Sequence, residues 1–178
     1  MIREGKIDDK HSITIKNLKN LHIRELYTFD LYIDDKYVGK SFYFSGRGEY
    51  KPWIEIIYDP WPRRERIEIS LFSYIRRELG NGGKIFVTYH KDYETRELLY
   101  KGEAIVNTPL GLSLLYAGFV WFKDWYFTEG GNEGLPKIQA NLPINSREEL
   151  YYLYKLLDEV KNPEARVFIQ NRIADLRK

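Results

Sequence analysis

Apolar and polar residues alternate with a period near two in the first third of the chain and near 3.6 in the last, and this change of period divides the sequence into blocks. Residues 12–16 (SITIK) and 23–33 (IRELYTFDLYI) read as strands. Asp34-Asp35-Lys36 then turns the chain into 37–45 (YVGKSFYFS), where Phe42 and Phe44 share a face, so a β-hairpin is predicted. A glycine-punctuated loop, 45–51 (SGRGEYK), precedes Pro52.

In the second block, 53–58 (WIEIIY) is a nearly continuous apolar strand. Ile67, Leu71, Phe72, Ile75 and Leu79 recur at helical spacing, which predicts a helix from about 62 to 79, stopped by Gly80-Asn81-Gly82-Gly83. The segment 84–89 (KIFVTY) is a second apolar strand. Strand, helix and strand in so short a span make a right-handed crossover, with its strands parallel or splayed neighbours. Residues 93–101 look helical, Thr108-Pro109 caps and starts a helix through Tyr116, and Gly118 ends it in a left-handed conformation. Segments 119–128 and 136–142, joined by 129–134 (EGGNEG), predict an antiparallel pair.

The third block is helical. Ser146-Arg147-Glu148-Glu149 reads as a capping box before the stripe Leu150, Leu153, Tyr154, Leu157 and Val160. Asn162-Pro163 restarts a helix bearing Phe168, Ile169, Ile173 and Leu176. These two helices either cover the sheet or pair with another subunit. The aromatic run 121–127 puts rings on both faces of one strand, so one face is core and the other needs the C-terminal helices, a second subunit or a ligand. A homodimer through 119–128 or through the C-terminal helices is therefore one arrangement the pattern allows.

Composition narrows the chemistry. The chain has 178 residues and no Cys, which excludes thiolate chemistry, and three scattered His suggest no metal site. No apolar run approaches the roughly 20 residues of a membrane span, and residues 1–10 carry no apolar export segment, so a cytoplasmic protein of one domain over 1–178 is expected. Lys+Arg 28 against Asp+Glu 26 gives +2, too balanced to make nucleic acid the expected partner. The single Met and the abundant Lys, Glu and Ile match heat-adapted proteins. No nucleophile elbow, Walker loop or dinucleotide fingerprint occurs.

The order hairpin, strand, helix, strand, helix, Gly-Phe, strand, strand resembles the GNAT superfamily of acyl-CoA-dependent N-acyltransferases. Two segments carry the likeness. Residues 58–72 (YDPWPRRERIEISLF) lie on the superfamily's Pro-x-x-Arg run entering a helix, matching Pro60, Arg63, Ile67 and Leu71. Asn107 precedes Gly118-Phe119 at the family's spacing. The resemblance spans about 23–142, with 146–177 as a helical extension. It implies an α+β fold: a mixed sheet with an N-terminal antiparallel hairpin, a central splayed βαβ unit and a C-terminal antiparallel pair, followed by two extra helices.

By that resemblance, Tyr58, Arg63, Arg64, Arg66 and Asn107 are the candidate residues for acetyl-CoA or another acyl-CoA. The acceptor would be an amine on a small molecule or protein. The family's glycines, which let backbone amides approach the pyrophosphate at a helix N-terminus, are replaced here by Arg64, Arg66 and Glu68. Guanidinium forks would then hold phosphate in place of backbone amides, against repulsion from Glu65 and Glu68. Leu114 stands where relatives keep an acidic Tyr, which leaves Tyr116, two residues on, as the candidate acid. Glu55 on the strand 53–58 and His90 after the strand 84–89 are the candidate bases. The two helices that shape the acceptor pocket in relatives have only residues 17–22 to stand for them. A non-catalytic module binding a protein, a small ligand or RNA on the same fold is the rival expectation.

Overall fold

The computed structural model of the chain describes residues 3–21, 25–58, 67–125 and 135–178. Strands β1 (Arg3–Lys6), β2 (Ser12–Asn20), β3 (Leu26–Ile33), β4 (Lys36–Phe44) and β5 (Trp53–Tyr58) follow one another antiparallel. Helix α1 (Ile67–Leu79) crosses to β6 (Lys84–Thr88), which runs parallel to β5. Then come α2 (Tyr93–Tyr100), a 3-10 turn at Ile105–Asn107, α3 (Pro109–Tyr116), the antiparallel strands β7 (Trp121–Trp125) and β8 (Lys137–Asn141), α4 (Ser146–Glu159) and α5 (Pro163–Leu176). The described strands form one eight-stranded sheet in the order β1-β2-β3-β4-β5-β6-β8-β7, so β8 inserts between β6 and β7. The chain is α+β with a mixed sheet, and the predicted hairpin, parallel βαβ unit and C-terminal antiparallel pair are all present.

Local chemistry explains most element ends. Asp34 and Asp35 both take positive φ (47° and 61°) between the paired residues Ile33 and Lys36, the backbone of a two-residue hairpin turn. The Asp34 carboxylate accepts from the Ser12 amide at 2.8 Å and contacts His11 Nδ1 at 2.6 Å, tying the turn to β2. Thr108 caps α3 by accepting from the Gly111 amide at 3.0 Å. A Cβ on Gly111 would fall 1.8 Å from the Ile105 carbonyl oxygen, so only glycine lets the 3-10 turn touch the helix there. The predicted cap of α4 shifts by one residue. Asn145, not Ser146, accepts from the Glu148 amide (2.9 Å), and the Glu148 carboxylate reaches back to the Ile144 amide (2.6 Å). Asn162 caps α5, with Pro163 in its first turn, as the sequence predicts.

Among the described residues, the helices and the sheet share their buried core on one face. Ile54, Ile56, Ile85, Val87, Ile138 and Ala140 of that face meet Leu71, Phe72 and Ile75 of α1 and Leu110 and Leu114 of α3 in the main core. Helices α4 and α5 build a second core with Val106, Leu115 and Val120, reached from the sheet by Phe122. The C-terminal helices thus pack outside α3, on the helix-bearing side of the sheet. The opposite face carries Phe44, Trp53 and Phe86 in ring contact at 6.0 Å spacings.

Candidate functional site

The parallel ladder is short. β5 pairs with β4 through six residues, out to Tyr58, and β6 pairs with β8 through five, out to Thr88. Between β5 and β6 only four pairs form, and the ladder ends at Ile56–Val87. At that point the Thr88 hydroxyl donates to the Ile56 carbonyl at 3.4 Å, so a side chain terminates the ladder. Past it, Ile57 and Tyr58 have no register partner on β6, which leaves one edge of β5 free of its parallel neighbour at the carboxyl end. Strand edges of this kind accept extended amide-bearing chains.

Several polar groups gather around the same end. Glu55, on the helix-free face, accepts from Lys137 Nζ of β8 at 2.8 Å. Trp125 Nε1 donates to Gln139 (2.9 Å), and Lys123 lies 3.9 Å from the Trp125 ring centre. Tyr89 is fully buried, and its hydroxyl donates to Asp124 at 2.7 Å, bridging from the end of β6 to β7. Partial burial raises the Asp124 carboxyl above its ordinary value, with the Tyr89 bond acting against it. The His90 Nδ1 is buried with no hydrogen-bond partner, and its carbonyl accepts from Arg96 at 3.0 Å. Burial first, and the Arg96 guanidinium second, lower the His90 pKa below the ordinary 6.5, which keeps the ring neutral at pH 7.

The sequence-predicted residues divide into three groups. Glu55 and His90 sit on or just beyond the parallel strands. Tyr116 does not join them: its ring meets Phe168 of α5 edge-on at 5.2 Å in the second core, with the sheet between it and Glu55. The position two residues earlier is Leu114, fully buried and apolar. Asn107 is taken up structurally, its amide donating to the Glu159 carbonyl (3.0 Å) and its oxygen accepting from the Lys161 amide (2.8 Å). Arg63, Arg64 and Arg66 lie outside the described residues, as does the side chain of Tyr58. Glu68, read as a repulsive charge beside a phosphate, turns inward instead: it is buried and accepts from Ser113 of α3 at 3.0 Å.

Sequence reasoning missed the Glu55–Lys137 and Tyr89–Asp124 pairs. Both join residues distant in the chain, and only the insertion of β8 beside β6 brings them together. Among the described residues no group of three or more His, Cys, Asp or Glu side chains could hold a metal ion. No helix among them is long and apolar enough to cross a membrane.

Fold and site together define a mixed-sheet α+β protein with an interrupted parallel pair at its centre. The chain belongs to the DUF1122 family of proteins of unknown function, whose profile matches residues 9–163. It is similar to a crystal structure of a protein of unknown function from Aquifex aeolicus VF5: 26% identity, TM-score 0.69, covering 96% of this chain and 91% of that one. No curated protein matches the sequence.

Proposed function

We propose that the chain is a divergent acyl-CoA-dependent N-acyltransferase of the GNAT kind. The observation that carries the reading is the parallel β5–β6 ladder ending at Ile56–Val87 while both strands continue on their outer sides. The unpaired edge of β5 there would take the two amides of a pantetheine arm, with Arg63, Arg64 and Arg66 to meet the pyrophosphate. The inward turn of Glu68 removes one carboxylate that would oppose that charge.

In the proposed reaction the acceptor nitrogen attacks the thioester carbonyl, the C–S bond breaks and an ammonium proton must leave. His90, neutral and at the end of β6, is the group suited to take that proton, directly or through water. Glu55 is held by Lys137 and is better placed to orient a cationic acceptor than to move a proton. With Leu114 in the acid position and Tyr116 in the second core, the thiolate would leave without a phenol. A thiol of pKa near 8.5 makes that loss tolerable.

A second reading, a binding module without turnover, is favoured by the absence of a phenol at position 114 and by the ion-paired state of Glu55. One experiment separates the two from each other and from neither. Millimolar acetyl-CoA should raise the melting temperature, with stabilisation of about 1.4 kcal/mol at ten times Kd, and Arg63→Ala should reduce the effect. Binding with turnover of the thioester supports the enzyme, and binding without it supports the module. No shift with acetyl-CoA or longer acyl-CoAs removes the acyl-CoA reading.

A further inference from the structure

A cavity of about 580 Å³ lies between the last two turns of α1 and strands β2–β5, on the helix-bearing face. It sits near Ile54, at the amino end of β5, and against Ile75 and Leu79, at the carboxyl end of α1. The ladder end proposed for acyl-CoA is at the other end of both elements. Its volume lies within the range of small-molecule sites, about 300–1,000 Å³. The floor is apolar, with Ile13, Leu31, Ile54 and Leu79 all buried. Above the floor stand three tyrosines. Tyr27 and Tyr43 stack at 6.4 Å, and Tyr74 projects from α1. Polar groups occur only around these rings: the tyrosine hydroxyls, exposed Ser45 and exposed Glu78.

The charge pattern selects the ligand. Glu78 is the sole acidic or basic side chain in the lining among the described residues, and outside it the Arg77 guanidinium lies 5.6 Å from the Tyr74 ring centre. An apolar well edged by the stacked rings of Tyr27 and Tyr43 and by a single carboxylate suits an aliphatic body with a cationic head. The rings attract the cation through their quadrupoles, and the carboxylate attracts it by charge. An anionic head would meet Glu78 with like charge, and a neutral head would forgo both attractions.

We propose that this cavity binds a small cationic amphiphile, an alkylammonium, independently of the acyl-transfer reading. The test is titration calorimetry of the intact protein with octylammonium, octanol and octanoate. Octylammonium should bind about five-fold more tightly than octanol, the ratio a single exposed carboxylate supports, and octanoate should bind least. Glu78→Gln, a surface change, should bring octylammonium and octanol to within about two-fold. Ser45→Trp, which sets a bulky ring at the mouth outside the main core, should abolish both while leaving any acetyl-CoA shift in place. The proposal is overturned by absence of octylammonium binding, by octanoate binding as well as the amine, by an undiminished preference of about five-fold in Glu78→Gln, or by full binding in a folded Ser45→Trp protein. Loss of the acetyl-CoA response alone bears only on the acyl-CoA slot.

Discussion

Asn107 commits both ends of its side-chain amide to the junction between α4 and α5, and this decides what its removal would do. Asn107→Ala should cost about 1 to 2 kcal/mol in urea unfolding, the loss of two hydrogen bonds at a partly exposed site. It should leave acetyl-CoA affinity unchanged, and a fall in affinity with stability intact would return Asn107 to the binding site. His90 is read through pH. Its folded pKa lies below the unfolded 6.5, so the unfolded chain binds more protons in that interval and stability rises with pH. As pH falls through 6.5 the parent should lose stability, and His90→Gln should lose less between pH 6.5 and 5, measured by chemical denaturation at each pH. An identical pH slope in the two proteins would contradict the burial assigned to the ring. At this scale the sequence was an uneven guide: residue types on strands could be read, but Tyr116 could not. Its direction on α3 matters only because α5 supplies Phe168 as a partner.

Among elements, the start signals were the most legible. Thr108-Pro109 and Asn162-Pro163 each place a side-chain acceptor ahead of a proline that has no amide to satisfy, and both helices begin where that chemistry requires. The start of α4 shows the limit of the same logic. Asn145 and Ser146 are both competent caps, and Asn145 prevails because Glu148 then bonds the amide of Ile144. Asn162→Ala should destabilise the protein by about 1 kcal/mol, and thermal melting should report it, since α5 buries Ala165, Ile169 and Ile173 in the second core. A neutral substitution would mean that Pro163 alone positions the helix. The destination of α4 and α5 was not legible: an amphipathic stripe states that a face must be covered, not by what. The structure gives α3 and the 3-10 turn, where a sheet face or a second subunit fitted the pattern equally.

The whole molecule is a sheet whose period-two and apolar segments could be read one at a time, whereas its order could not. That β8 returns between β6 and β7 depends on pairing across residues far apart in sequence, and local pattern carries no such information. The cavity beneath α1 was hidden for a related reason. Ile13, Leu31 and Ile54 each look like ordinary core residues, and they line a common space because strands apart in sequence lie side by side under α1.

The four-pair join between β5 and β6 is shorter than its neighbours. On one side, six pairs lock β5 to β4. On the other, five pairs lock β6 to β8, and the Tyr89–Asp124 bond fastens the tip of β6 to the outermost strand. The two sets of strands therefore meet along a ladder shorter than those on either side of it. If a guest entering there displaced β6, the pairing through β8 would pass the movement to β7, and the indole emission of its Trp121 and Trp125 would change.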